Sequence, residues 1–364
     1  MSPEIKDSLF EMLTADLAGG AAASVSVIAQ EGTEPQTFWV PESEEEPAFL
    51  AYSITKTLTS TLVLKLCEEG RLSLDDRLAR WFPRIDRAER IPLRQLLNHT
   101  AGISDYGGIR AYHDSVRSSS SIPWSFERFA SETFEKGLCF EPGQGWAYSN
   151  PGYMLVKRIA EEVTGMTYRA LVSNRIAQPF GLSRTFVPES IDDLQSLAPG
   201  TSSVLAPDGS PRDVRTHYHP GWVSHGVVAS TTSDIVRFFD RLFHGQFLSE
   251  HSLDQMRQLV TVPVASSGTS STKDCPSRWG RPSYGLGLMG DPVSPWGLLL
   301  GHNGRGPGYT ASAFHAVDLR GASVCVMGAM EENFNAENVV FGIFDRLAAS
   351  CNTCAAQPAA GADR

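Results

Sequence analysis

Apolar and polar residues follow two rhythms along this chain, period two near its ends and a helical period between them. Ile5, Leu9, Phe10, Met12, Leu13 and Leu17 recur at helical spacing over residues 4–17, and Gly19-Gly20 ends that helix. Residues 23–29 read as a strand, with residues 36–40 as its hairpin partner and the acidic, proline-containing residues 41–47 as a loop. From Ile54 a buried stripe runs through Leu58, Leu62 and Leu66, with Val63 beside it, and stops at Gly70. Asn150-Pro151 opens a second helix, pairing a capping side chain with proline at the first helical position; Leu155, Ile159 and Val163 form its stripe and Gly165 ends it. An apolar helix is expected over residues 235–243. Strands are expected over 296–304, 309–317 and 322–330, followed by a helix over 336–349. Residues 104–125 read as an irregular surface excursion, and 166–290 as short helices and long loops.

Three consecutive strands with short connections argue for an antiparallel sheet. The N-terminal hairpin joins it, the terminal helices pack on a face, and the helical middle forms a second lobe. The expected fold class is therefore α+β. Residues 1–60 and 290–350 make the sheet domain, 61–289 a mainly helical lobe, and 351–364 a disordered tail. A cleft between the lobes is the natural place for a ligand.

Composition narrows the function. Across 364 residues, 31 Lys+Arg stand against 41 Asp+Glu, a formal net charge of -10. With no long basic run, this disfavours nucleic acid or an anionic membrane as partner and leaves a small-molecule substrate. No signal peptide or membrane-length apolar run is visible, so a cytoplasmic location is expected. Of six cysteines, Cys67 and Cys325 lie in apolar segments and read as buried thiols. Cys351 and Cys354 form a lone C-x-x-C without the second pair a zinc site wants. His217-Tyr218-His219 lacks a third ligand at helical spacing. No metal and no cofactor is implied.

Candidate chemistry starts at Ser53. Lys56 follows three residues later, on the same face of a helix that begins near Ser53. A serine hydroxyl needs a proton acceptor, and a lysine amine serves when its pKa is lowered. A second Ser-x-x-Lys, Ser270 to Lys273, sits in a Ser/Thr/Gly-rich run with no apolar stripe behind it and reads as a loop. Tyr148 falls in the turn before the Asn150 helix, and His302 on the first C-terminal strand. His99, after a Leu-Leu pair, reads as a structural hydrogen-bonding residue.

Ser53-Ile54-Thr55-Lys56, then Tyr148-Ser149-Asn150, then His302-Asn303-Gly304 appear in one order. The set resembles the Ser-x-x-Lys, Tyr-x-Asn and Lys/His-x-Gly motifs of the penicillin-recognising serine hydrolases, in the branch of class C β-lactamases, D-alanyl-D-alanine carboxypeptidases, D-aminopeptidases and related esterases. Residues 70–76, 96–102, Pro142-Gly143 and 301–308 also look like that branch, and the likeness covers roughly residues 8–345. It implies a β-lactamase/transpeptidase-like fold and a serine hydrolase that cleaves an ester, amide or D-amino-acid peptide bond through an acyl-enzyme. By the same resemblance Ser53 is the nucleophile, and Lys56 and Tyr148 share proton transfer, with the general base left open between them. Asn150 holds Lys56 and a substrate amide oxygen. His302 faces the substrate or Tyr148, and Gly304 leaves room for substrate along the strand edge. The backbone N–H groups of Ser53 and Arg305 form the oxyanion hole. The Arg305 side chain binds a substrate carboxylate or points to solvent. An acyltransferase using the same acyl-enzyme, or a sensor acylated once without turnover, are the alternative readings.

Overall fold

The computed structural model describes residues 11–15, 21–263 and 278–355. At its centre, among the described residues, is an eight-stranded antiparallel sheet built from both ends of the chain. Its strands are β1 (Ala23–Ile28), β2 (Gln36–Val40), β3 (Val260–Thr261), β4 (Ser283–Tyr284), β5 (Met289–Ser294), β6 (Gly297–Gly306), β7 (Tyr309–Ala316) and β8 (Ala322–Gly328). Their spatial order is β2-β1-β8-β7-β6-β5-β4-β3. The expected hairpin joins as foreseen, β1 pairing with β2 on one side and with β8 on the other.

Alternation assigns the two faces of the sheet. Val324 and Val326 of β8, with Phe314 of β7, pack with Val340 and Phe344 of the C-terminal helix, and Leu13 joins this layer. Cys325, Met327, Ala311 and Ala313 point the other way, into the core that holds Ser53's helix. Serines also line that second face. Ser24 and Ser26 of β1 are buried, and their hydroxyls lie 2.8 and 2.7 Å from Thr232 Oγ1.

The main helices are α1 (Thr55–Glu68), α2 (Arg110–Ser118), α3 (Asn150–Thr164), α4 (Thr232–Phe243) and α5 (Ala336–Ala355). Ile54, Leu58, Leu62, Val63 and Leu66 are all buried, as the stripe requires. The polar side of α1 is buried too. Thr57 donates to the Gly287 carbonyl (2.7 Å), Thr59 meets the Tyr168 hydroxyl (2.7 Å), and Ser60 meets the Tyr153 hydroxyl (3.1 Å). Each buried hydroxyl thus has a partner, which is what makes an all-round buried helix tolerable.

Several expectations change. Strands β3 and β4 and the first residue of β5 carry the sheet into the stretch up to residue 289 that was expected to belong to the helical lobe, and α4 packs directly on β1 and β8. Two-residue strands carry no readable period, and β5 contains Gly290, Asp291 and Pro292, which are depleted in strands. Within the expected irregular excursion at 104–125 lies α2, which buries only Val116 and so has no apolar stripe to read. Helix α5 continues to Ala355, so residues 351–355 are helical where a disordered tail was expected. Alanine-rich ends extend helices at little cost. Most of the helix expected over residues 4–17, the second Ser-x-x-Lys and residues 356–364 lie outside the described residues.

Candidate active site

Ser53 sits in a single 3-10 turn, Tyr52–Ile54, that runs straight into α1. Tyr52 has φ of 43°, a strained value for a non-glycine residue, and its hydroxyl donates to the Pro307 carbonyl at 2.6 Å. That turn delivers Ser53 to the N-terminal end of α1, one helical turn before Lys56. The Lys56 ammonium group is fully buried and lies 3.2 Å from Ser53 Oγ, 2.7 Å from Asn150 Oδ1 and 3.1 Å from His225 Nε2. Burial drives the Lys56 pKa well below the usual lysine value, and the charge of Asp105 opposes this only in part.

The cap of α3 frees Asn150 for this contact. Sequence reasoning makes Asn150 the cap, but Ser149 occupies that position and accepts from the Gly152 N–H at 3.0 Å. Asn150 is then the first helical residue, and its own N–H donates to Asp105 Oδ1 at 2.8 Å. His99 takes the structural role expected of it. Its Nδ1 accepts from the Ser149 N–H (3.1 Å), its carbonyl accepts from Ala147 N–H (3.0 Å), and its ring packs on Tyr148 with centroids 4.4 Å apart. So braced, the Tyr148 hydroxyl donates to Ser53 Oγ at 2.7 Å. Burial raises the Tyr148 pKa well above that of a free phenol, which the bond to Ser53 opposes, so the group remains a neutral donor.

Strand β6 forms the opposite wall. His302 is buried; its Nδ1 lies 2.6 Å from the Asn303 carbonyl and its Nε2 2.8 Å from the Tyr284 hydroxyl. A carbonyl can only accept, so Nδ1 carries the proton and Nε2 accepts from Tyr284. Burial, with the Lys56 charge second, pushes the His302 pKa down to about 3. His302 therefore contacts Tyr284 and faces Tyr148, whose ring centroid is 6.3 Å away, as a neutral group. Gly304 runs against the Ser53 turn. A Cβ there would collide with the Ala51 carbonyl and stand 3.3 Å from the Ser53 N–H. We expect Gly304→Ala to push β6 off the Ser53 turn and lower ester turnover by roughly 100-fold or more, the usual scale for losing one oxyanion donor. Steady-state kinetics beside a thermal melt checks this.

Two cavities meet at Ser53 and Arg305. One, of about 350 Å³, is walled by Tyr52, Tyr106, Tyr112 and Tyr218, with Glu331 and Glu332 also lining it. Backbone partners occupy three of those hydroxyls: Tyr52 with Pro307, Tyr112 with Trp222 (3.2 Å) and Tyr106 with Ser224 (3.3 Å). Their rings are left as apolar walls. The other cavity, of about 510 Å³, is lined by Trp146, Tyr148, Trp279, Tyr284, Met289 and His302 among others. Arg305 is exposed where the two join.

The structure thus brings together Ser53, Lys56, Tyr148 and Asn150 in direct contact, with Gly304 and Arg305 beside them and His302 facing Tyr148 and bonded to Tyr284. Sequence reasoning missed Asp105, His225 and Tyr284. Asp105 and His225 lie in loops, and nothing in their spacing marks them.

The family model described as Beta-lactamase matches residues 11–333. A penicillin-binding protein of Bacillus subtilis is 28% identical over 314 residues, 80% of this chain and 64% of that protein, so the chain spans somewhat under two thirds of that relative. Lovastatin esterase of Penicillium rubens is 28% identical over 289 residues, 72% of this chain and 70% of the esterase. Among solved structures, a D-stereospecific amidohydrolase from Streptomyces sp. superposes with a TM-score of 0.79 at 27% identity, covering 93% of this chain and 98% of that one.

Proposed function

Because this chain belongs to the β-lactamase family, we propose that it is a serine hydrolase that acylates Ser53 with an ester or amide substrate and releases the acyl group to water. The observation that carries the reading is the pair of contacts on Ser53 Oγ, a bond from the Tyr148 hydroxyl at 2.7 Å and Lys56 Nζ at 3.2 Å. Their opposite pKa shifts assign the roles. Burial keeps the Tyr148 phenol protonated and disfavours the Lys56 ammonium, so Lys56 is the group with a lone pair to offer. Lys56 takes the Ser53 proton as Oγ attacks the substrate carbonyl carbon. The oxyanion sits at the backbone N–H groups of Ser53 and Arg305. As the bond to the leaving group breaks, Tyr148 gives its phenolic proton to that group, and the proton held on Lys56 replaces it on Tyr148. Water then attacks the acyl-serine carbonyl with the same residues accepting its proton, and Ser53 is regenerated.

The tyrosine-walled cavity suits an apolar or aromatic acyl group, and the wider cavity beside Tyr148 suits the leaving group, whose proton Tyr148 supplies. Likeness to an esterase and to a D-stereospecific amidohydrolase supports esters and D-aminoacyl amides as the substrate classes. Cys67, Cys139 and Cys325 are free thiols, Cys139 exposed, which supports a reducing, cytoplasmic compartment. No described helix is long and apolar enough to cross a membrane.

A panel of p-nitrophenyl esters, D- and L-aminoacyl p-nitroanilides and a chromogenic β-lactam tests the reading. We expect turnover of aromatic esters and of D-aminoacyl anilides in preference to their L forms. Equal rates on both enantiomers would contradict the D-aminoacyl assignment, and no turnover of any member would contradict hydrolase activity. Arg305→Ala belongs in the same panel. A loss of about tenfold or more on substrates bearing a carboxylate, with neutral ones spared, assigns the guanidinium to that carboxylate. An equal effect on both removes that role.

A further inference from the structure

His225 is the one neighbour of Lys56 Nζ that has been given no task. It reaches the site through a tightly specified loop. Gly226, at φ of 83°, closes a turn in which its N–H donates to the Val223 carbonyl at 2.8 Å. A Cβ at Gly226 would stand 2.7 Å from the Tyr168 ring, so a larger residue has no room there. Just beyond, Val228 N–H donates to Thr55 Oγ1 (2.9 Å), and the Val228 carbonyl accepts from Ala51 N–H (2.8 Å). The loop carrying His225 is therefore fastened at two points to the turn that carries Ser53. The ring is buried and borders the tyrosine-walled cavity, with Nε2 3.1 Å from Lys56 Nζ. Nδ1 is buried with no hydrogen-bond partner among the described residues.

A neutral amine has two N–H groups and one lone pair. Asn150 Oδ1, at 2.7 Å, can only accept and takes one N–H. With nothing else fixed, the amine can rotate about that bond and present either its second N–H or its lone pair to Ser53. A second acceptor removes the choice. We propose that His225 is a positioning residue for acylation: its Nε2 lone pair accepts the second N–H of Lys56 and so turns the amine lone pair onto the Ser53 hydroxyl. In this tautomer Nδ1 holds the ring proton. Once Ser53 gives up its proton, the Oγ–H bond is broken and a third N–H bond is formed on Lys56. The ammonium then has three donors and three neighbours to receive them: Ser53 Oγ, Asn150 Oδ1 and His225 Nε2. The opposite tautomer, with Nε2–H donating to Lys56, would occupy the lone pair and leave an N–H facing Ser53. Burial holds His225 well below the usual histidine pKa, which keeps Nε2 available as an acceptor.

The inference rests on the reading of Lys56 as the base, and the test separates the two. Acylation is followed in single turnovers of a p-nitrophenyl ester, with Ser53 labelling by a fluorophosphonate measured in parallel. His225→Ala is expected to slow acylation about 10- to 100-fold, the scale of one hydrogen bond to a charged group, with KM changed less than about threefold. His225→Gln places an amide oxygen near the position of Nε2 and is expected to recover acylation to within about threefold of wild type. Should the alanine variant not fold, His225→Asn replaces it, since its amide is one methylene too short and is expected to acylate as slowly. Wild-type acylation in the alanine or asparagine variant, or no recovery in the glutamine variant, overturns the role of His225. Wild-type protein that turns over the ester without labelling at Ser53 instead overturns the Ser53 acyl-enzyme, and with it the reading of Lys56 as its base.

Discussion

Ser53→Ala is expected to lower the turnover of an activated ester by about 10⁴-fold or more while leaving the fold intact. Removing Oγ removes the atom that forms the acyl bond, and no other hydroxyl is placed to replace it. The nearest, on Tyr148, is held protonated by burial and is itself a donor to Ser53. What remains is the binding energy of the two cavities and the backbone donors, which act on a carbonyl attacked only by water. The cost in stability should be limited to about 1–3 kcal/mol, for the Tyr148 hydroxyl that loses its acceptor. Ser53 lies in a surface-accessible turn, and alanine suits the start of a helix as well as serine does when the side chain caps nothing. A steady-state assay beside a thermal melt reads both parts of the prediction. Activity within tenfold of wild type would mean that the reaction passes through another residue.

Lys56→Met ranks second, with an expected loss of about 10³- to 10⁴-fold and a changed pH profile. Methionine keeps the length and apolar character of the buried stem and removes only the amine. The sign of the pH effect follows from the role. The base works unprotonated, so kcat/KM of the wild type should rise with pH through the Lys56 pKa. Burial places that pKa below the usual lysine value of about 10.4, so the limb falls at lower pH than an exposed lysine would give. His302, pushed down to about 3, stays neutral above that and contributes no limb near neutrality. The methionine variant should lose the rising limb altogether. It also strips a donor from Asn150 Oδ1 and His225 Nε2, a cost of about 1–3 kcal/mol for each group left unpaired. A moderate drop in thermal midpoint is therefore expected as well. A rising limb that survives in the variant would move the base function to Tyr148 or elsewhere.

Much of this arrangement was legible before any coordinates. The stripe Ile54, Leu58, Leu62, Leu66 fixed the direction of α1 and so placed Ser53 and Lys56 on one face. Asn150-Pro151 marked the start of α3, because proline there demands a first helical turn, although Ser149 rather than Asn150 supplies the cap. The strands β6, β7 and β8 were readable because each is at least seven residues long. What escaped was set by contacts remote in sequence. Strands β3 and β4 are two residues each; β4 forms on the edge that β5 offers, and β3 on the edge of β4. Tyr284 matters because β4 carries it to His302, and His225 because a glycine turn carries it to Lys56. Neither position has a local signature, since a buried tyrosine or a loop histidine looks the same in a sequence whether or not a catalytic group lies within 3 Å. The polar residues of α1 pose a related problem: the apolar stripe accounts for one face only, and the tertiary partners Gly287, Tyr168 and Tyr153 explain the burial of the hydroxyls.

Intact-mass analysis of the protein quenched during turnover of an aromatic ester, followed by peptide mapping, bears most directly on the acyl-enzyme. We predict a mass increase of one acyl group per chain, located on Ser53, that decays as product is released. An adduct on a different residue, or steady turnover with the protein never acylated, would contradict it.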